Sequence, residues 1–258
     1  MKELRLLPRV YQVGGPHLTD PKDCSCYLIK DDPSILIDCG SPDGIPALRQ
    51  NLASLGLGFS DIGMLIGTHG HFDHVGGVAA LKQLRDVPFY LHPGDRRAVE
   101  EGDGRLTASE TLYNLPFPPV RVDRELSDAQ IIELTHSKLT IVHTPGHTAG
   151  SVSVLATWDD FTLLFAADTV WGGYHPDFFA GIEVWRRSLD KLLAYDFDAI
   201  VWGHSGSVVF GDARRRVQEA RAAMGVFFVP WRIPISGPEF RYGGDALNPG
   251  RQESYGVP

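Results

Sequence analysis

The sequence predicts a mixed α and β protein, and three observations carry that reading. Short apolar runs recur along the chain, segments with apolar residues at helical spacing stand between several of them, and glycine, proline or aspartate marks the junctions. With 258 residues, 43% of them hydrophobic and 22% charged, the chain can bury a sizeable core as one domain or one domain with an appendage.

In chain order, Arg9 to Val13, Cys26 to Ile29 and Ile35 to Asp38 read as strands, the last closing at Gly40. Between the first two lies Gly14 to Pro21, a loop rich in breakers that connects strands or swings over a site. Asp43 to Leu55 carries Ile45, Leu48, Leu52 and Leu55 on one helical face, and Gly56 stops it. Met64 to Ile66 is a buried strand. After His74, Gly76 and Gly77 permit a tight turn before Val78, Leu81 and Leu84 mark a second helix. Phe89 to Leu91 is the next strand, and Pro93-Gly94-Asp95 turns into a short helix ending near Gly102. From Gly102 to Val120 the pattern dissolves into a proline-rich stretch whose apolar side chains either pack on the core or line a cleft. Gln130 to Leu134, Leu139 to Val142, Ser151 to Ala156 and Phe161 to Ala166 read as a meander. Val184 to Leu193 is a helix, and Ala199 to Trp202 the last buried strand.

The stretch Thr68-His69-Gly70-His71-Phe72-Asp73-His74 holds three imidazoles and one carboxylate within six consecutive positions. These donors suit zinc, iron or manganese. In extended backbone, side chains two apart point the same way, so His69 and His71 would reach one ion while Asp73 and His74 turn toward a neighbouring point. Further candidates stand at strand ends: His147 in a loop set by Pro145, Gly146 and Gly150, Asp168 after Leu163 to Ala167, and His204 after Trp202-Gly203. An acid following so apolar a run needs a cation or several donors. His17, His92, His136, His143 and His175 fit no slot in this pattern.

Composition limits the rest. A formal charge of -8 and a pI near 5.6 argue against a general nucleic-acid binder. Three cysteines, Cys24, Cys26 and Cys39, build no framework of bridges, and the expected home is a reducing cytoplasm. Met1 to Val13 is too short an apolar run for a signal peptide, and nothing approaches a membrane span. The expected partner is a small-molecule substrate, with no nucleic acid and no membrane.

The order His-x-His-x-Asp-His, later His, Asp and final His resembles the metallo-β-lactamase superfamily, with the glyoxalase II and lactonase-like branch nearest, over roughly Tyr11 to His204. The resemblance implies an α/β (α+β) fold, a four-layer αββα sandwich with two mixed sheets, over 1–224. It further implies one metal on His69, His71 and His147, a second on Asp73, His74 and His204, and Asp168 bridging. Two divalent ions follow, zinc first, iron or manganese as alternatives. A bridging hydroxide would attack an ester-like acyl carbon, lactone or thioester first, with Asp73 as the catalytic group that orients the nucleophile or handles its proton.

Trp171, Tyr174 and His175 are the expected substrate contacts, Tyr174 by analogy with the carbonyl-binding tyrosine of the family's lactonases. Tyr174-His175-Pro176 departs from glyoxalase II, which has Cys-Gly-Arg there, and no glutathione-binding helical extension follows His204. A β-lactamase, a mononuclear-iron persulfide dioxygenase and a non-enzymatic binding protein are the alternatives. Residues 225–258, with Phe227, Phe228, Trp231, Phe240, Tyr242 and Tyr255 among prolines and glycines, read as an extension that wraps its own domain or pairs two chains as a homodimer.

Overall fold

The fold, taken from a computed structural model, is described for residues 5–175, 177–178, 180–204 and 208–224. The expected extension over 225–258 lies outside the described residues.

One sheet runs, in spatial and sequence order, β1 (Arg5–Leu7), β2 (Val10–Gly14), β3 (Cys26–Ile29), β4 (Ser34–Ile37), β5 (Ile62–Ile66), β6 (Phe89–Leu91) and β7 (Arg124–Glu125). Its first four strands pair antiparallel and β4 to β7 pair parallel. The second sheet contains β8 (Ile131–Glu133), β9 (Lys138–His143), β10 (Val152–Trp158), β11 (Phe161–Phe165), β12 (Ala199–Val201) and β13 (Val209–Phe210), in that spatial order. Only β11 and β12 pair parallel there. The helices are α1 (Ile45–Ser54), α2 (Phe72–Val75), α3 (Val78–Leu84), α4 (Pro93–Glu101), α5 (Ser109–Tyr113), α6 (Ile182–Leu192) and α7 (Ala213–Ala223).

Three apolar cores in series separate four layers. Leu28, Leu36 and Leu65 of the first sheet join Leu48 and Leu52 of α1 and Val78 and Leu81 of α3 in an outer core. Tyr27, Ile29, Ile35 and Ile37, the alternate positions on the same strands, meet Val154, Leu163 and Phe165 between the sheets. Leu155, Leu164 and Ile200 face the other way, onto Trp185, Leu189 and Val217 of α6 and α7. Strands covered on both faces read as unbroken apolar runs, which is why β3 and β4 show no polar alternation. Each such side chain contributes about 1.5–3 kcal/mol by leaving water. The αββα sandwich with two mixed sheets is therefore the observed architecture.

Several expectations need correction. The motif after β5 is not extended: residues 68–70 form a bend and Phe72–Val75 a single helical turn, with His71 as its N-cap. Of the two readings of Gly102 to Val120, packing on the core is the one observed, with Phe117 buried and Phe72 5.3 Å from the ring of Tyr113, and the stretch contains the unexpected α5. Strands β1, β7 and β13 and helix α7 had no expected counterpart. Among the described residues no helix is long and apolar enough to cross a membrane.

Candidate metal centre

Every candidate ligand sits where a strand of one sheet or the other ends, at one rim of the sandwich. His69, His71, Asp73 and His74 follow β5, His147 follows β9, Asp168 follows β11 and His204 follows β12. The loops are packed to backbone contact. A Cβ on Gly203 would lie 1.9 Å from Asp168 Oδ1. Gly146, at φ +153°, would set one 2.3 Å from the Cβ of Trp185, so only glycine serves there. Tyr27 spans the sheets, donating its hydroxyl to the Trp202 carbonyl at 2.9 Å and fixing the strand end that presents His204.

The donors fall into two sets. His69 Nε2 and His147 Nε2 each lie 3.0 Å from His71 Nδ1, and all three rings are fully buried. Opposite them, Asp73 Oδ2 lies 3.7 Å from His74 Nε2 and 3.4 Å from His204 Nε2. Asp168 stands between: Oδ1 is 3.5 Å from His74 Nε2, while Oδ2 is 3.4 Å from His147 Nε2 and 3.2 Å from His204 Nε2. His69, His71 and His147 thus form one group able to hold an ion, and Asp73, His74 and His204 another.

The donor chemistry fits a pair of cations. Three ring nitrogens converging on one point crowd their lone pairs unless a proton or a cation lies between them, and zinc–nitrogen bonds of about 2.0–2.1 Å suit that spacing. Both oxygens of Asp73 and the Nε2 of His74 are buried without a hydrogen-bond partner among the described residues. Such orphaned groups cost about 1–3 kcal/mol each unless a ligand satisfies them.

Electrostatics differ between the sets. Burial pushes His69 and His71 well below the usual histidine range, and neighbouring imidazoles add to it. His147 is lowered too, chiefly by burial, with Asp168 opposing. For His74, burial works against the charge, but Asp73, Asp38 and Asp168 outweigh it and push the ring up to about 10. His204 is raised against burial by Asp168 and Asp73. Asp168 is driven far below the carboxylate range, the surrounding histidines overcoming its burial.

Some residues of the site were not expected. Asp38, at φ +57°, accepts His74 Nδ1 at 2.9 Å and the Thr68 backbone and hydroxyl at 2.8 Å each, which orients the imidazole and fixes its outward nitrogen. The His147 Nδ1 bonds the Gly173 carbonyl at 2.8 Å. Phe178 lays its ring edge against His71 at 4.3 Å and His147 at 5.8 Å, walling the three-histidine set. No motif signals a lone phenylalanine in an irregular segment.

The expected substrate contacts take varied places. His175 is buried, stacks on Phe178 at 5.4 Å, and accepts the Asp177 amide at 3.2 Å, one ring removed from the ligands. Tyr174 is half-buried in an isolated bridge. Trp171 packs toward the α6 and α7 core instead. The three cysteines are buried free thiols, Cys24 and Cys26 with sulfurs 4.0 Å apart, and burial raises each thiol, in keeping with no nucleophilic role. His92 and His143 stack on each other at 3.7 Å away from the ligands.

Comparison with known proteins agrees with this geometry. An uncharacterized protein of Mycobacterium tuberculosis is 31% identical over 215 residues, covering 74% of this chain and 90% of that one. An acyl-coenzyme A thioesterase of Gallus gallus is 28% identical over 181 residues, 62% of each chain. Among solved structures, a metallo-beta-lactamase of Cronobacter sakazakii superposes with a TM-score of 0.73 at 27% identity, covering 86% of this chain and 96% of that one. The family model of the metallo-beta-lactamase superfamily matches residues 19–204, from the loop before β3 through the last of the seven candidate ligands. With donor order, layer order and profile in agreement, the chain belongs to the metallo-beta-lactamase superfamily of metallo-hydrolases.

Proposed function

We propose that this chain is a binuclear hydrolase of an ester-like acyl bond, a thioester before a lactone. The observation that carries the reading is the meeting of two complete donor sets at one carboxylate, Asp168. His69, His71 and His147 would hold one divalent ion, zinc first, and Asp73, His74 and His204 the other. Bound there, the ions would supply Lewis acidity and an acidified water at neutral pH.

The chain's own groups do the rest. Asp168 turns Oδ1 toward His74 and Oδ2 toward both His147 and His204, so it stands between the sets and would offset part of the positive charge. Asp73 has a second buried oxygen with no donor on it, able to orient the attacking water and take its proton. Phe178 and His175 shield the three-histidine side from bulk water, which strengthens every electrostatic interaction beside them. The thioesterase relative supports the choice of acyl chemistry. A small-molecule substrate and a homodimer through residues 225–258 belong to the same proposal.

Metal analysis by mass spectrometry, coupled to turnover of acyl thioesters, lactones, β-lactams and phosphodiesters, tests it. Two ions per chain with thioester or lactone hydrolysis is the expected result. One iron per chain with oxygen uptake on a persulfide, or hydrolysis confined to β-lactams, would replace the reading.

A further inference from the structure

Two ring nitrogens held 3.0 Å from a third do not hold themselves, and their positions come from two loops more than seventy residues apart in sequence. Besides the Val152 amide, which donates to the Thr68 carbonyl at 2.8 Å, the group that joins those loops is Asp95, in the first turn of α4 and only 7% exposed. Its Oδ2 accepts the Gly70 amide at 2.8 Å, between His69 and His71, and the Thr148 hydroxyl at 2.7 Å, next to His147. Its Oδ1 accepts the Gly150 amide at 2.7 Å. Both oxygens therefore face an obligate backbone donor, and the carboxylate serves one ligand loop with part of Oδ2 and the other loop with the remainder.

The packing around it leaves no slack. A Cβ on Gly70 would lie 3.0 Å from the Cβ of Asp95, one on Gly150 would lie 2.5 Å from the Asp95 amide nitrogen, and one on Gly94 would lie 2.7 Å from the Ala149 carbonyl. Helix α4 thus enters as a wedge with its first turn against both loops. The opposite donor set is tied elsewhere: the Cys24 amide donates to the Asp73 carbonyl at 3.1 Å, and the Ser25 amide to the Gly203 carbonyl at 2.7 Å. The Thr68 hydroxyl lies near both His69 Nδ1, at 3.2 Å, and His74 Nδ1, at 3.3 Å, whereas the hydrogen bonds of Asp95 reach only the loops of the three-histidine set.

We propose that Asp95 is a positioning residue for the three-histidine site: it clamps the His69–His71 loop to the His147 loop and so sets the affinity of that site for a divalent cation, without touching the ion or the substrate. The inference rests on the two-site reading above. Groups of this kind act by holding ligands in register, and their loss costs about 10–100-fold in metal affinity.

The test uses the full chain, stripped with a chelator and titrated with Zn2+ against a chromophoric competitor. Asp95→Asn cannot accept from both backbone amides, and it should weaken one of two bound ions about 10–100-fold while the other is held as before. The affected site is assigned with His71→Ala, which retains only the opposite set. Adding Asp95→Asn to His71→Ala should change the remaining affinity by less than about twofold, the additivity expected of independent sites. A merely structural role would lower both affinities together, and that result, or an unchanged Asp95→Asn, overturns the proposal. Should Asp95→Asn not fold, Thr148→Val removes one of the three donors and leaves both glycine bonds. It should weaken the same site on the order of threefold to tenfold, and unchanged affinity overturns the clamp. A wild-type chain that takes up one ion, still weakened by Asp95→Asn, would overturn the two-ion reading and leave the clamp standing.

Discussion

The two halves of the centre are opposites in charge and enclosure. His69, His71 and His147 are fully buried neutral donors whose basicity burial depresses. Across from them, Asp73 brings a formal charge, His74 and His204 are raised by acidic neighbours, and the His204 side chain keeps 16% of its surface exposed. An ion on the all-imidazole half would retain more of its positive charge, which suits polarising an acyl oxygen. The acidic half would neutralise more of the charge of an ion held there and opens to solvent, which suits delivering water.

The largest effects should come from removing the contrast itself. His71→Ala, which dismantles the neutral half, and Asp168→Ala, which uncouples the halves, should each lower turnover by at least about a hundredfold to a thousandfold, read in a steady-state assay. Circular dichroism should show both variants folded, and metal analysis should show one ion lost in the first. Asp38→Asn comes next. Asparagine tolerates the φ of +57° at this position, yet it loses the charge that orients His74, so affinity at the acidic half should fall about 10–100-fold, with a smaller loss at the imidazole half, which Asp38 reaches only through Thr68 and His69. A competition titration that finds both halves weakened equally would break the distinction.

Phe178→Ala should raise KM on the order of tenfold, as for loss of an apolar wall, with kcat within about twofold. The metal-free chain should show the contrast as a pH profile. Histidines depressed in the folded state lose their contribution as pH falls below 6.5, whereas His74, raised from 6.5 to about 10, loses its contribution as pH climbs through that window. Thermal midpoints should therefore peak between, with His71→Ala flattening the acid limb and His74→Ala the alkaline limb. His136→Ala, at an exposed turn remote from the seven donors, should change nothing measurable in activity.

The ligands were legible because each follows an apolar run that reads as a strand, and donor identity at a strand end survives errors in local conformation. Their partition into two sets followed from resemblance, and the same two groupings are among those whose donor atoms lie close enough to hold an ion. The local path was not legible: the alternation of His69 and His71 suggested an extended backbone, whereas the chain bends there and winds one helical turn. Asp38 and Asp95 were overlooked because, in a chain with 32 acidic residues, an acid closing a strand or opening a helix looks like any turn residue. Helix α7 escaped because only Ala213, Val217 and Ala220 on it are buried, too weak an apolar stripe to register. Strands β7 and β13, two residues each, fall below any periodic signal.

The spread of the donors along the chain has a consequence for biogenesis. They run from His69 to His204 and belong to both sheets, so a ribosome that has released only the first 140 residues has exposed four of them and neither complete set. Either set is complete only once the second sheet has met the first, so full metal uptake would belong to the late stages of folding.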